Sequence, residues 1–178
     1  RDSLEIITKD IFEPTLSQLN KKNIDYRGVI YFGLMITKSG PKVIEYNCRF
    51  GDPECQTIMP LLDHSFVLLL EKCAMGKLTG KEKIDTSENV SGCVIATSRG
   101  YPHEYQTGYP IKIGSIDLTN CQIFDSGTSF SKNGELVTDG GRVLSIVCQD
   151  KNFDIVFEKA YKNLKDISFD GIYFRNDI

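Results

Sequence analysis

The stretch GVIYFGLMIT at residues 28–37 carries no charged side chain and is dense in β-branched and aromatic residues. That composition suits a central strand covered on both faces, and it constrains the fold more than any other segment. Lys38, Ser39 and Gly40 then make a short turn, and PKVIEYNC at 41–48 resumes as a second strand, so the pair is predicted to be a β-hairpin. Upstream, Leu4, Ile7, Ile11, Leu16 and Leu19 recur at helical spacing, with a break expected at Pro14. Downstream, short helices are expected over 55–62, weakened by Pro60, and over 65–75. Neither 28–37 nor the apolar run 66–70 approaches the roughly 20 residues that cross a bilayer, so no membrane span is predicted.

The polar tract KLTGKEKIDTSENV at 77–90 lacks helical periodicity and is the best boundary in the chain. Beyond it, β-like runs at 92–97, 111–113, 122–124, 135–138 and 142–148 are separated by Gly, Asn, Asp and Pro. This spacing predicts a small antiparallel sheet or half-barrel. Asn133-Gly134 marks a hairpin turn, and Asp139-Gly140-Gly141 a tight turn expected to need φ > 0. A covering helix is predicted from Phe153, Val156, Phe157, Ala160 and Leu164, then a last strand at 171–174. The fold class is α+β, with domains at 1–80 and 90–178. At 178 residues, 40% apolar and 25% charged, the chain is ordinary for a packed globular protein. It opens on Arg1 without a methionine, so a larger parent polypeptide is expected.

A formal net charge of -3 supplies no broad cationic field, which argues against nucleic acid or anionic lipid as partner. The cysteines at 48, 55, 73, 93, 121 and 148 show no C-x-x-C pairing. They are expected to be buried reduced thiols, and cytoplasmic residence follows. No Walker or dinucleotide glycine motif occurs. His64 and His103 have no partner pattern and are assigned no mechanism.

The chemistry concentrates at residues 45–54. On an alternating strand Val43, Glu45, Asn47 and Arg49 share one face, placing Glu45 and Asn47 roughly 6.5–7 Å apart along the chain. A carboxylate and an amide oxygen suit magnesium, which keeps waters and phosphate oxygens as its other ligands. Arg49 can clamp a phosphate or carboxylate. Phe50-Gly51-Asp52-Pro53-Glu54 adds two carboxylates that can orient an amine. Gly140-Gly141-Arg142 brings a further guanidinium to a turn, where it can meet a phosphate. From spacing alone, a solvated strand face, a helix cap with acidic first-turn residues, and a solvent-facing strand residue explain the same patterns.

The run 27–62, RGVIYFGLMITKSGPKVIEYNCRFGDPECQTIMPLL, strongly resembles the phosphoribosylamine-glycine ligase family of ATP-grasp enzymes. The likeness continues through SGCVIATSRGYP, SKNGELVTDGGRVL and FDGIYFRNDI, and so covers nearly the whole chain. The resemblance implies the end of an ATP-grasp domain, antiparallel strands with packing helices, followed by a β-rich, half-barrel-like C-terminal domain. It implies ATP, glycine and 5-phosphoribosylamine as substrates, joined in purine biosynthesis. Glu45 and Asn47 become ligands of magnesium or manganese, Arg49 a catalytic residue near phosphate or acyl phosphate, and Asp52, Glu54 and Arg142 substrate-binding residues. The N-terminal part of such a ligase, including the lysines that cover ATP, is missing from these residues. The isolated chain is therefore expected to be inactive, with the missing part as its partner. Other ATP-grasp ligases, or a non-catalytic module, are the competing readings.

Overall fold

In the computed structural model, which describes residues 3–62 and 65–178, the N-terminal helical spacing is realised in three pieces. These are α1 (Ser3–Ile7), a π-helical turn (Thr8–Phe12) and α2 (Glu13–Lys21). The expected break falls just ahead of Pro14. The N–H of Glu13 reaches back to the carbonyl of Thr8, and this wider turn accommodates a proline ring that would collide with the preceding turn of a regular helix. The hairpin follows as β1 (Tyr31–Thr37) and β2 (Gly40–Asn47). Contacts divide the chain into two units, residues 1–52 with 64–84, and 53–63 with 85–178.

In the first unit the helix reaches the hairpin through Phe12, whose ring lies 4.6 Å from that of Phe32, and Phe32 meets Tyr46 at 5.3 Å. The expectation that β1 is covered on both faces is not met. Met35 is 54% and Ile36 62% exposed, and among the described residues β1 pairs with β2 alone. The described remainder of the unit is α4 (Ser65–Ala74), where Phe66 meets Phe50 at 5.9 Å. His64 lies outside the described residues.

The second unit begins with α3 (Glu54–Ile58) and a 3₁₀ turn (Met59–Leu61), so the expected 55–62 helix is tightened around Pro60. Its strands are β3 (Val90–Ser98), β4 (Lys112–Ile113), β5 (Cys121–Asp125), β6 (Thr128–Phe130), β7 (Leu136–Thr138) and β8 (Arg142–Asp150). Helix α5 (Phe153–Lys165) and the short β9 (Ile167–Ser168) and β10 (Ile172–Tyr173) complete it. An open antiparallel sheet in the order β10-β3-β8-β5 forms the centre, and no barrel closes among the described residues. Gly92 has no Cβ, which would stand 2.8 Å from Val156, so α5 seats closely on β3. Val94, Ala96, Leu144, Ile146, Val156, Ala160 and Leu164 are buried in the resulting core. With α3 also packed on β3 and β8, residues 143–148 of β8 are buried at every position, as expected of a strand covered on both faces.

Polar contacts fix the helix in place. Asn152 caps α5, its Oδ1 accepting from the N–H of Ile155 at 3.0 Å, and Asn163, 3% exposed, grips Asp117 through both its amide atoms. Asn152→Ala is expected to cost about 1 kcal/mol, read as a lowered urea midpoint, because an orphan helix N–H loses its acceptor. Asp150 sits below the usual carboxylate range, first because Lys159 Nζ donates to it at 2.7 Å and then because the Lys151 N–H does. A depressed folded pKa stabilises above the ordinary carboxylate value of about 3.9 and ceases to do so as pH falls through the folded value. The urea-midpoint gap between wild type and Lys159→Met should therefore be present at neutral pH and close as pH falls below the ordinary carboxylate value and through the lower folded one; a gap independent of pH would contradict the pairing.

Two local expectations change. Gly140 and Gly141 do not have positive φ, whereas Gly134 in the β6–β7 hairpin does, at 79°. The glycines at 140 and 141 are required for space instead. A Cβ on Gly140 would lie 2.9 Å from the Cα of Gly127, and one on Gly141 would collide with the ring of Tyr101. The cysteines are also not uniformly buried thiols. Cys121 and Cys148 are partners across β5 and β8, with Cα atoms 4.0 Å apart, and are joined as a disulfide, while Cys48 is exposed. The register, invisible in the one-dimensional spacing, brings that pair together.

Candidate functional site

The register of β1 against β2 sets the geometry of the acidic segment. Gly33 pairs with Glu45 but Leu34 pairs with Val43, so Ile44 is an extra, bulged residue. A bulge reverses alternation, and Val43 therefore falls on the face opposite Glu45, contrary to the regular-strand expectation. Tyr31 pairs with Asn47 beyond the bulge, which keeps Glu45 and Asn47 on one face as predicted. Gly33 is the residue the sequence reading missed. A Cβ there would lie 2.8 Å from Glu45 Cγ, so its absence lets the glutamate lie across β1. A glycine inside an otherwise apolar strand was the available signal.

Asn47 Nδ2 donates to Glu45 Oε1 at 3.0 Å, and Glu45 is exposed while Asn47 is half-buried. This donor set fits a hard divalent cation. Turning the amide by half a revolution replaces Nδ2 with Oδ1 in the same volume, so a carboxylate oxygen and an amide oxygen then converge. Among the described residues no group of three or more His, Cys, Asp or Glu is placed to hold a metal. A site built on these two ligands would thus leave most of the coordination sphere to water and phosphate oxygens, as magnesium favours.

The remaining candidates divide by unit. Strand β2 ends at Asn47, so Arg49 lies in a bend beyond regular alternation, and its Nη1 donates to the carbonyl of Phe50 at 2.8 Å. Asp52 is exposed in the following turn, also in the first unit. Glu54 opens α3 and Arg142 opens β8; both belong to the second unit and are half-buried. The structure therefore brings Glu45 and Asn47 together, with Arg49 two residues on in sequence.

Comparison with known proteins gives a consistent result. Residues 1–55 match the family model described as phosphoribosylglycinamide synthetase, ATP-grasp (A) domain, and residues 91–178 match its C domain. A phosphoribosylamine-glycine ligase of Caldanaerobacter subterraneus is 44% identical over 178 residues, all of this chain and 42% of that protein. The human trifunctional purine biosynthetic protein adenosine-3 is 35% identical over 99% of this chain and 18% of its own length. The crystal structure of the phosphoribosylamine-glycine ligase of Thermotoga maritima superposes with a TM-score of 0.82 at 32% identity, over 96% of this chain and 41% of that one. The chain thus spans about two-fifths of the length of the ligases it matches.

Proposed function

The chain belongs to the phosphoribosylglycinamide synthetase family, and on that premise we propose that its full-length parent is an ATP-dependent ligase joining glycine to 5-phosphoribosylamine. The observation that carries this reading is the Glu45–Asn47 pair, held on one face by the bulge at Ile44 and given room by Gly33, within the residues matched to the ATP-grasp domain. Residues 1–80 are the end of that domain and 90–178 the C-terminal domain. The C-domain match beginning at 91 supports this boundary, although 53–63 pack with the second unit. The exposed apolar side chains of β1 are what a strand would present where the rest of its domain is elsewhere in the polypeptide.

In the reaction, glycine's carboxylate takes the γ-phosphoryl of ATP and ADP leaves; the amine of phosphoribosylamine then attacks the acyl carbon and phosphate departs. Glu45 and Asn47 would hold magnesium or manganese, which supplies charge neutralisation at the ATP phosphates. Arg49 offers a guanidinium to the acyl phosphate once its bond to Phe50 is exchanged, and Arg142 offers another to the bound substrate. Asp52 and Glu54 accept from the substrate amines. Catalysis is then mainly positioning and electrostatics. Cytoplasmic residence goes with these charged metabolites, and no described helix is long and apolar enough to cross a membrane.

A strain lacking its own glycinamide-ribonucleotide-forming ligase should grow without added purine when it carries the full-length parent gene. The 178-residue chain alone should not rescue it. Failure by a well-expressed parent would overturn the assignment, and rescue by the short chain would overturn its expected inactivity.

A further inference from the structure

The SRGYP segment is one of the motifs that carry the family resemblance, yet the reaction above uses none of its side chains. In the second unit it folds into a tightly held loop. The Ser98 hydroxyl donates to the Gly140 carbonyl at 2.8 Å, the Arg99 N–H to the Gly171 carbonyl at 2.7 Å, and the Tyr101 N–H to the Ser98 carbonyl at 3.1 Å. Gly100, at φ +100°, turns the loop where a Cβ would strike the backbone of Glu104, and Tyr101 packs on bare Gly141. The far end is tied by Gly108 and Tyr109, whose N–H groups donate to the Thr138 carbonyl and hydroxyl at 2.6 and 3.1 Å.

This loop walls a polar cavity of about 470 Å³ lined by Ser98, Arg99, Glu104, Tyr105, Tyr109 and Asp170. That volume lies within the roughly 300–1,000 Å³ of small-molecule sites. Arg99, Glu104 and Asp170 share the cavity, but none of the three side chains makes a hydrogen bond or ion pair among the described residues. One guanidinium and two carboxylates give the lining a net negative charge, so a polyanion such as a nucleoside triphosphate is disfavoured. A ligand with one anionic group for Arg99 and several hydroxyl or amine donors for the carboxylates satisfies all three, and the tyrosine rings can cover the C–H face of a sugar. We propose that this cavity is a sugar-phosphate site, with Arg99 on the phosphate and Asp170 and Glu104 on the sugar's donors. The inference rests on the ligase reading only for the choice between two sources, the substrate's own phosphoribosyl group and a free sugar phosphate.

The test uses the full-length parent and ribose 5-phosphate, which cannot react because it lacks the amine. Equilibrium binding should be present in wild type, fall tenfold or more in Arg99→Gln, recover in part in Arg99→Lys, and weaken in Asp170→Asn. Wild-type binding in both Arg99→Gln and Asp170→Asn, or no binding by wild type, overturns the proposal. A tenfold rise in the KM for phosphoribosylamine in Arg99→Gln, with the KM for ATP unchanged, assigns the site to the substrate. Lost ribose 5-phosphate binding with unchanged KM assigns it to a free sugar phosphate. Because binding is read without turnover, it stands or falls separately from the ligase assignment, which fails if wild type shows no glycine-dependent ADP release.

Discussion

Glu45→Gln in the full-length parent lowers kcat for glycine-dependent ADP release by about 10²–10⁴-fold while leaving the fold intact. The size follows from what the residue would do. A divalent cation at the transferring phosphoryl group is worth several kcal/mol of transition-state stabilisation, and each 1.36 kcal/mol is about tenfold in rate. Glutamine keeps the shape and one carbonyl oxygen but removes the only formal charge of the pair, so the cation is held less tightly and its neutralising effect is misplaced. Glu45 is exposed and its side-chain hydrogen bond among the described residues is the one from Asn47, so stability should change little. Raised manganese should restore part of the rate, since weakened occupancy can be offset by concentration. A variant retaining activity within threefold at low metal would remove Glu45 from the metal site.

Leu144→Ala should unfold the second unit more readily than any surface change, by about 2–5 kcal/mol, from lost transfer energy and the cavity left behind. Leu144 is fully buried in β8, opposite Ala96 and within the core that α5 closes. Neighbours on both sides belong to paired strands or a capped helix, so collapse into the space is restricted. Phe130→Ala removes a larger side chain from β6, but Phe130 is 76% exposed and the cost should stay within about 0.5 kcal/mol. Urea unfolding of the 178-residue chain at neutral pH reads both. Equal midpoints for the two variants would mean that the core is not where the structure has it.

The sequence disclosed the parts of this protein whose signals are local. The hairpin, the positions of β3 and β8, and the amphipathic α5 all followed from periodicity and turn residues, because each is set by neighbours in the chain. Short strands such as β6 and β9 were not legible: three and two residues are too few to show alternation, and pairing with β7 and β4 defines them. Glu45 and Asn47 were legible as a pair, whereas the bulge that moves Val43 to the other face was not, since it depends on the register with Gly33 and Leu34. Cys121 and Cys148 were read as separate thiols for the same reason. The coverage of β1 was overestimated because composition reports what a strand prefers to contact, and its far end has little to contact in this unit.

The measurement that bears most directly on the central claim is ADP release by the full-length parent with ATP, magnesium, glycine and phosphoribosylamine, each omitted in turn. Release that requires glycine and phosphoribosylamine together, with glycine recovered in the product, is the predicted result. Release that continues unchanged without glycine would contradict the ligase assignment and transfer the Glu45–Asn47 site to a different ATP-dependent chemistry.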